Sequence, residues 1–259
     1  MSWLEAVILG LVQGLAEFLP ISSSGHLALG QELLGVATED VTFVVIVHFG
    51  TLLAVVTEFR GRIWEHTSGF VTGDAQARRM TAYLIVGTLP AGLVGLFLEN
   101  AIGSLFNSPL AVCGFLILTG IILFSTRFRK GERTEIGLVD ALLIGVAQAG
   151  AILPGISRSG MTISAGLWKG IDGEEAARFS FLLSCPVIAG ATILKVKDLV
   201  ESGVTADHAF SLVVGAGVAY VSGIVAIRWL MAVVARGGLP RFAYYCWTIG
   251  LAGLLLFRG

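Results

Sequence analysis

Long apolar runs, rather than any alternation of apolar and polar positions, dominate this chain. Six of them, at 41–59, 81–98, 109–127, 178–195, 209–229 and 240–258, match the ~20 mostly apolar residues (range ~17–25) that carry a helix across a bilayer. Two more apolar stretches, 3–35 and 137–170, are broken in the middle by polar and glycine residues. Each half is then about 15 residues, short for a crossing, so both stretches read as re-entrant helical hairpins that enter and leave on one face. The order is hairpin, three spans, hairpin, three spans. An odd number of crossings per unit turns the second unit upside down relative to the first. The pattern therefore predicts an all-α polytopic membrane protein with an inverted-topology repeat. It has six transmembrane helices plus two re-entrant helical hairpins, with a first repeat over 1–127 and a second over 137–259 in one integral-membrane domain.

The two interruptions repeat one another. Residues 13–26 read QGLAEFLPISSSGH and residues 148–162 read QAGAILPGISRSGMT. With the Leu-Pro pair shifted by one residue, Gln13 answers Gln148, Leu19-Pro20 answers Leu153-Pro154, and Ser22–Gly25 answers Ser157–Gly160. Polar, glycine-bearing breaks at membrane depth are tolerated only where protein buries them or where they line a cavity. Two such tips in matching halves point to a site between the halves. A weaker echo, TLPAGLVG at 88–95 and SCPVIAGA at 184–191, sets a proline and small residues inside a span and reads as close helix packing.

Composition narrows the picture. Charged residues make up 14% of the 259 and hydrophobic ones 55%, with mean hydropathy +0.86, where soluble domains carry about 25% charged residues. A net charge of −1 offers no basic face for nucleic acid. Cys113, Cys185 and Cys246 lie far apart in apolar stretches and read as buried, inert thiols. The start MSWLE lacks the basic region of a cleaved signal peptide. Of the 17 basic residues, 13 fall on one predicted side, from Arg60 to Arg241. Lys195, Lys197 and Arg258 fall on the other side, and Arg158 sits in the second hairpin. The positive-inside rule makes the rich side cytoplasmic, which puts both termini outside and opens the first hairpin outward and the second inward. Small residues along the spans admit a homodimer.

The tips carry candidate chemistry. Glu17 is an ionisable group at membrane depth, a mark of a functional site. Gln13 lies four residues earlier on the same helix face, and the pair offers oxygen donors suited to a hard divalent cation. Pro20 ends the first half-helix. Ser22, Ser23 and Ser24, with Gly25, can cap the next half-helix, whose N-terminus favours anions. A hydroxyl near His26 is the minimum constellation for nucleophilic catalysis, with the attacking serine left open among the three. In the second tip Arg158 suits bidentate phosphate recognition. Gly155 and Gly160 allow close backbone approach, and Ser157, Ser159 and Thr162 add hydroxyls. Together these groups fit a phosphate or diphosphate, and at membrane depth a lipid phosphate. His48, in the first span, reads equally as a cavity residue and as a buried structural histidine.

These residues resemble the signatures of the undecaprenyl-diphosphate phosphatase family, the bacitracin-resistance type of integral-membrane prenyl-diphosphate phosphatase. The signature (E/Q)-x-x-x-E followed by P-x-S-S-[ST]-G-H stands here as Gln13–Glu17 and Pro20–His26, and P-G-x-S-R-S-x-x-T as Pro154–Thr162. HFGTLLAVV at 48–56 and FSFLLSCPVIAGA at 179–191 are also similar to family segments, so the resemblance spans the chain. It implies dephosphorylation of undecaprenyl diphosphate at the outer side of the cytoplasmic membrane, recycling the cell-wall lipid carrier, with Mg²⁺ or Ca²⁺ as cofactor. It also implies Ser23 as nucleophile, His26 as acid/base or alternative nucleophile, Arg158 as phosphate clamp, and Glu17 with Gln13 on the metal or acid/base side. Ser22, Ser24, Gly25, Ser157, Ser159, Gly160 and Thr162 are the expected phosphate contacts. Gln13 stands where many members have Glu, so Glu17 alone supplies the carboxylate. Inverted repeats with broken helices are also a transporter design. That leaves a prenyl-phosphate flippase or transporter as the alternative, moving lipid without releasing phosphate.

Overall fold

The structure is a computed structural model that describes residues 1–34, 41–106, 108–129, 131–202 and 206–257. At 31–34, 41, 98–104, 106, 191, 194–202 and 206–208 it describes the backbone alone. The end of the first expected hairpin at residue 35, Lys130 and Arg258 lie outside the described residues, as do the side chains of Lys195 and Lys197.

Among the described residues the protein is all-helical. The first half runs α1 (Trp3–Phe18), α2 (Ser23–Leu34), α3 (Val41–Glu58), α4 (Arg60–Thr72), α5 (Ala75–Phe106) and α6 (Pro109–Ser125). The second runs α7 (Leu138–Gly150), α8 (Arg158–Trp168), α9 (Gly173–Ser202), α10 (Ala206–Ala235) and α11 (Phe242–Leu256). Three stretches are long and apolar enough to cross a membrane: Ala75–Phe97, Pro109–Phe128 and Ala209–Ala235. The helices α3 and α4, bent by 76° at their junction, make a fourth if taken as one span. The chain is a multi-pass membrane protein. The spans expected at 41–59, 81–98, 109–127 and 209–229 fall on α3, α5, α6 and α10. Those expected at 178–195 and 240–258 fall on α9 and α11, which run into residues outside the described set. The helix α4 was not foreseen. It buries none of its residues, and Trp64, Phe70 and Val71 stand exposed on it.

The two broken stretches are built alike. The helices α1 and α7 begin at Trp3 and Leu138, and α2 and α8 at Ser23 and Arg158, the same interval in both cases. Their caps share one bond at each helix start, while the Ser2 hydroxyl that also accepts from the Glu5 N–H has no counterpart at Gly137. Glu5 accepts from the Ser2 N–H at 2.9 Å, and Asp140 from the Gly137 N–H at 2.9 Å. Ser22 Oγ accepts from the Gly25 N–H at 3.3 Å, and Ser157 Oγ from the Gly160 N–H at 3.1 Å. These side chains satisfy helix-start donors that have no partner inside the helix. The packing is matched too. Gly10 of α1 lies against Gly215 of α10, and Gly145 of α7 against Gly87 of α5, with no room for a Cβ at either contact. Small residues let membrane helices approach this closely.

Ion pairs tie the C-terminal end of α3 and the start of α4 to α10 and α9: Glu58 to Arg228 at 3.0 Å and Arg62 to Glu175 at 3.5 Å. Arg178 pairs with Glu174 at 2.9 Å and with Glu175. Ahead of α7, Arg133 reaches Asp140 at 2.7 Å.

Candidate active site

Glu17 is the hub at which the two breaks meet. Gln13, one turn earlier on the buried face of α1, donates from Nε2 to Glu17 Oε2 at 3.0 Å. The chain then breaks over Leu19–Ser22, and the first residue of α2 turns back to the same oxygen: Ser23 Oγ donates to Glu17 Oε2 at 2.7 Å. Arg158, the first residue of α8, donates from Nη2 to the other oxygen, Oε1, at 2.6 Å, and from Nη1 to the Ser180 carbonyl at 3.4 Å. His48 of α3 brings Nε2 to 3.6 Å from Oε2, while its Nδ1 lies 2.7 Å from the Val44 carbonyl. Glu17 is only 7% exposed. A carboxylate so buried is tolerable only when paired and hydrogen-bonded, and here both oxygens are.

The tips touch directly. Ser159 Oγ donates to the Leu19 carbonyl at 3.2 Å. A Cβ on Gly25 would stand 3.1 Å from the Gly155 Cα, and one on Gly160 would stand 3.2 Å from Pro20 Cβ. A cavity of about 460 Å³ opens beside the contact, within the ~300–1,000 Å³ typical of ligand sites. Its polar wall is Glu17, Ser23, Ser24, His48, Gln148, Ser157 and Arg158. Its apolar wall includes Val44, Val45, Ala91, Ile152, Val187 and Ile188. The helices α2 and α8 both start at this wall, so two helix N-termini and one guanidinium face it. That is an anion site built twice over.

The expected site residues divide into four groups. Glu17, Ser23, Ser24, His48, Ser157 and Arg158 line the cavity. Gln13 supports Glu17 from behind and keeps its own Oε1 buried without a partner. Gly25, Ser159 and Gly160 lie where the tips touch, Ser22 caps its own tip, and Thr162 ties α8 to α9: its Oγ1 lies 2.6 Å from Ser180 Oγ and donates to the Arg158 carbonyl at 2.8 Å. His26 is not among the residues that line this cavity. Its Nδ1 lies 2.9 Å from the Ser22 carbonyl one turn back, which swings the ring to the α11 side of the hairpin, away from the cavity. There Nε2 meets the Tyr245 hydroxyl at 2.9 Å.

The cavity also holds residues that sequence reasoning did not place there. Gln148, the repeat partner of Gln13, is one of them: it is 2% exposed, with Oε1 unpartnered. Ala91, Val187 and Ile188 follow Pro90 and Pro186. The paired prolines were the available signal, read only as packing.

As metal ligands, Glu17 and the unpartnered Gln13 Oε1 are oxygen donors of the kind a hard cation takes. Among the described residues no three or more His, Cys, Asp or Glu side chains group closely enough to hold a metal.

Known proteins resemble this chain along nearly its whole length. The profile of the family described as bacitracin resistance protein BacA matches residues 6–252. The undecaprenyl-diphosphatase of Syntrophotalea carbinolica is 44% identical over 257 residues, covering 96% of this chain and 97% of that protein. That of Halothermothrix orenii is 41% identical over 256 residues, 97% of each. That of Methanobrevibacter smithii is 41% identical over 277 residues, 100% of this chain and 98% of that protein. Both tips lie inside the matched region, and the chain belongs to the bacitracin resistance protein BacA family.

Proposed function

We propose that this protein hydrolyses undecaprenyl diphosphate to undecaprenyl phosphate, recycling the cell-wall lipid carrier and giving bacitracin resistance. The observation that carries the reading is the convergence of Ser23, Glu17 and Arg158 on one cavity that two helix N-termini face. The diphosphate sits against Ser24, Ser157 and Arg158, and the apolar wall takes the start of the prenyl chain. Arg158 has five N–H donors, and those not engaged by Glu17 and Ser180 meet phosphate oxygens. Ser23 Oγ, 2.7 Å from Glu17 Oε2, is within the ~2.6–3.2 Å expected of a nucleophile and its base. Its oxygen attacks the terminal phosphorus while its proton passes to Glu17. The bond from that phosphorus to the bridging oxygen breaks, and the lipid monophosphate leaves. Water, deprotonated by the same carboxylate, then releases phosphate from Ser23. His48, beside Oε2, relays the proton outward. Stabilising the spread negative charge is the main catalytic task in such a transfer.

Mg²⁺ or Ca²⁺ would find oxygen donors of the right kind in this chain. Glu17 and Gln13 would hold it, and it would supply positive charge against the diphosphate oxygens.

The fold is read as six spans and two re-entrant hairpins in inverted repeats over 1–127 and 137–259. Support comes from the equal helix intervals, the matched caps, and the exchanged glycine contacts of α1 with α10 and α7 with α5. The ion-paired end carrying Arg62, Arg178 and Arg228 is cytoplasmic by the positive-inside rule. The termini and the cavity face the outer side of the cytoplasmic membrane.

The test is inorganic phosphate release from a C15 or C55 prenyl diphosphate with Mg²⁺. Wild type turns over, and Arg158→Ala loses about 10²–10³-fold, the usual worth of one transition-state donor. Undiminished turnover in the variant removes the clamp role. Lipid movement across proteoliposomes without phosphate release replaces hydrolysis by transport.

A further inference from the structure

The turn that aims Ser23 is strained in one tip and relaxed in the other. Ser22 has φ +69, and it is the one non-glycine residue in the left-handed region among the described residues. In the second tip the left-handed residue is Gly155, φ +98, which takes that conformation freely while a side chain resists it. The tips differ to match: His26 follows the strained turn, and Met161 stands in its place in the second copy. His26 grips the strained residue. Its backbone N–H donates to the Ser22 carbonyl at 3.1 Å, and its Nδ1 lies 2.9 Å from the same oxygen. With the proton on Nδ1, Nε2 is an acceptor, and the Tyr245 hydroxyl of α11 is its donor at 2.9 Å. The two rings stack with centroids 5.6 Å apart and planes 16° from parallel. This contact lies on the far side of the hairpin from the cavity, in a pocket of about 290 Å³ shared with Trp229 and Phe242.

We infer that Tyr245, acting through His26, holds Ser22 in its left-handed turn and thereby keeps the Ser23 hydroxyl on Glu17. Tyr245 is then a positioning residue for phosphate release, supplied by the last helix of the chain, and His26 is the link rather than a proton carrier. Tyr245 fixes the imidazole tautomer by donating to Nε2. The imidazole fixes the turn by donating from Nδ1, and the turn fixes the first residue of α2. Residues held in sparsely populated backbone conformations persist only when their surroundings over-determine them, and they cluster at active sites. The inference rests on the phosphatase reading with Ser23 as the attacking group.

The experiment measures kcat and KM for phosphate release from a C15 prenyl diphosphate. The variants are Tyr245→Phe, His26→Asn, Ser22→Gly, and Tyr245→Phe combined with Ser22→Gly. Tyr245→Phe is expected to lower kcat about tenfold, equivalent to about 1.4 kcal/mol, and to leave KM within about twofold. Adding Ser22→Gly recovers most of that loss, because glycine holds the turn unaided and costs little as a helix cap. His26→Asn keeps an N–H at the place of Nδ1 and stays within about tenfold of wild type. Wild-type kcat in Tyr245→Phe overturns the inference. So does a loss that Ser22→Gly does not recover, which is a packing effect, and so does an inactive His26→Asn, which makes His26 a proton carrier. A wild type that releases no phosphate sinks the phosphatase reading instead, so the two failures are distinct.

Discussion

Replacing Ser23 with alanine separates two ways in which a hydroxyl 2.7 Å from Glu17 Oε2 can serve the reaction. If the serine only orders the site while water attacks, the variant loses one hydrogen bond to a charged acceptor. Such a bond is worth about 1.5–3 kcal/mol, which bounds the fall in kcat at roughly 10–150-fold. If the serine is the nucleophile, the covalent route disappears, and losses beyond about 10⁴-fold are the norm when an attacking group is removed. The fold is little disturbed, because the helix cap is Ser22 Oγ on the Gly25 N–H and not Ser23. The stability change is therefore expected to stay within the ~1.5–3 kcal/mol of that one bond to a charged acceptor. The assay is steady-state phosphate release, together with an acid quench of prenyl diphosphate labelled on its terminal phosphate. Wild type retains label on protein and Ser23→Ala retains none. Residual turnover within about 150-fold of wild type, with no labelled protein in either, would refute the covalent route.

Two further substitutions probe the walls of the site. Gln148→Leu removes an amide whose Oε1 is buried without a partner. The relieved desolvation of Oε1 offsets the loss of the 3.5 Å bond from Nε2 to the Gly87 carbonyl, so stability is expected to stay within about 1 kcal/mol, while kcat/KM falls about tenfold. Paired thermal unfolding and turnover measurements check both, and a fall in both makes Gln148 a packing residue. Gly155→Ala places a side chain at φ +98, against the Val112 carbonyl. A cost of about 1–3 kcal/mol from the conformation alone predicts a clearly lowered Tm. An unchanged Tm would mean the tip relaxes without strain.

The all-helical, multi-pass character follows directly from the apolar runs, and the local chemistry of the site only in part. Both broken stretches, and the meeting of Glu17 with Arg158, were legible because a charge at membrane depth must find its opposite. Two breaks carrying complementary groups leave few other arrangements. The ring direction of His26 is not legible, because sequence spacing gives the face of a helix and not the direction of a ring. The Ser22 carbonyl and the Tyr245 hydroxyl, 219 residues away along the chain, decide that direction. Gln148 was visible as a repeat and invisible as a wall residue, since nothing local tells a buried amide from one at a cavity. The helix α4 was missed because its thirteen residues mix arginine, glycine and threonine with Trp64 and Phe70, a pattern with neither an apolar run nor a clean stripe.

The two tips match in helix starts and caps and differ in the groups that meet, and electrostatics requires the difference. A symmetric pair of tips brings equivalent positions together across its axis. Two carboxylates about 3 Å apart would repel by roughly 5 kcal/mol even at an effective dielectric of about 20, and two guanidinium groups likewise. The chain pairs positions that are not equivalent. Glu17 of the first tip is answered in sequence by Ile152, and Arg158 of the second by Ser23. Glu17 binds Arg158 at 2.6 Å, and Ser23 reaches the other oxygen of the same carboxylate. The shared backbone brings two helix N-termini to one cavity, and the unequal side chains make one tip the base and nucleophile and the other the cation. An exchange that restored symmetry, Ile152→Glu, would set a second carboxylate on the cavity wall. It should weaken diphosphate binding, seen as a raised KM, while the Ser23–Glu17 contact stays in place.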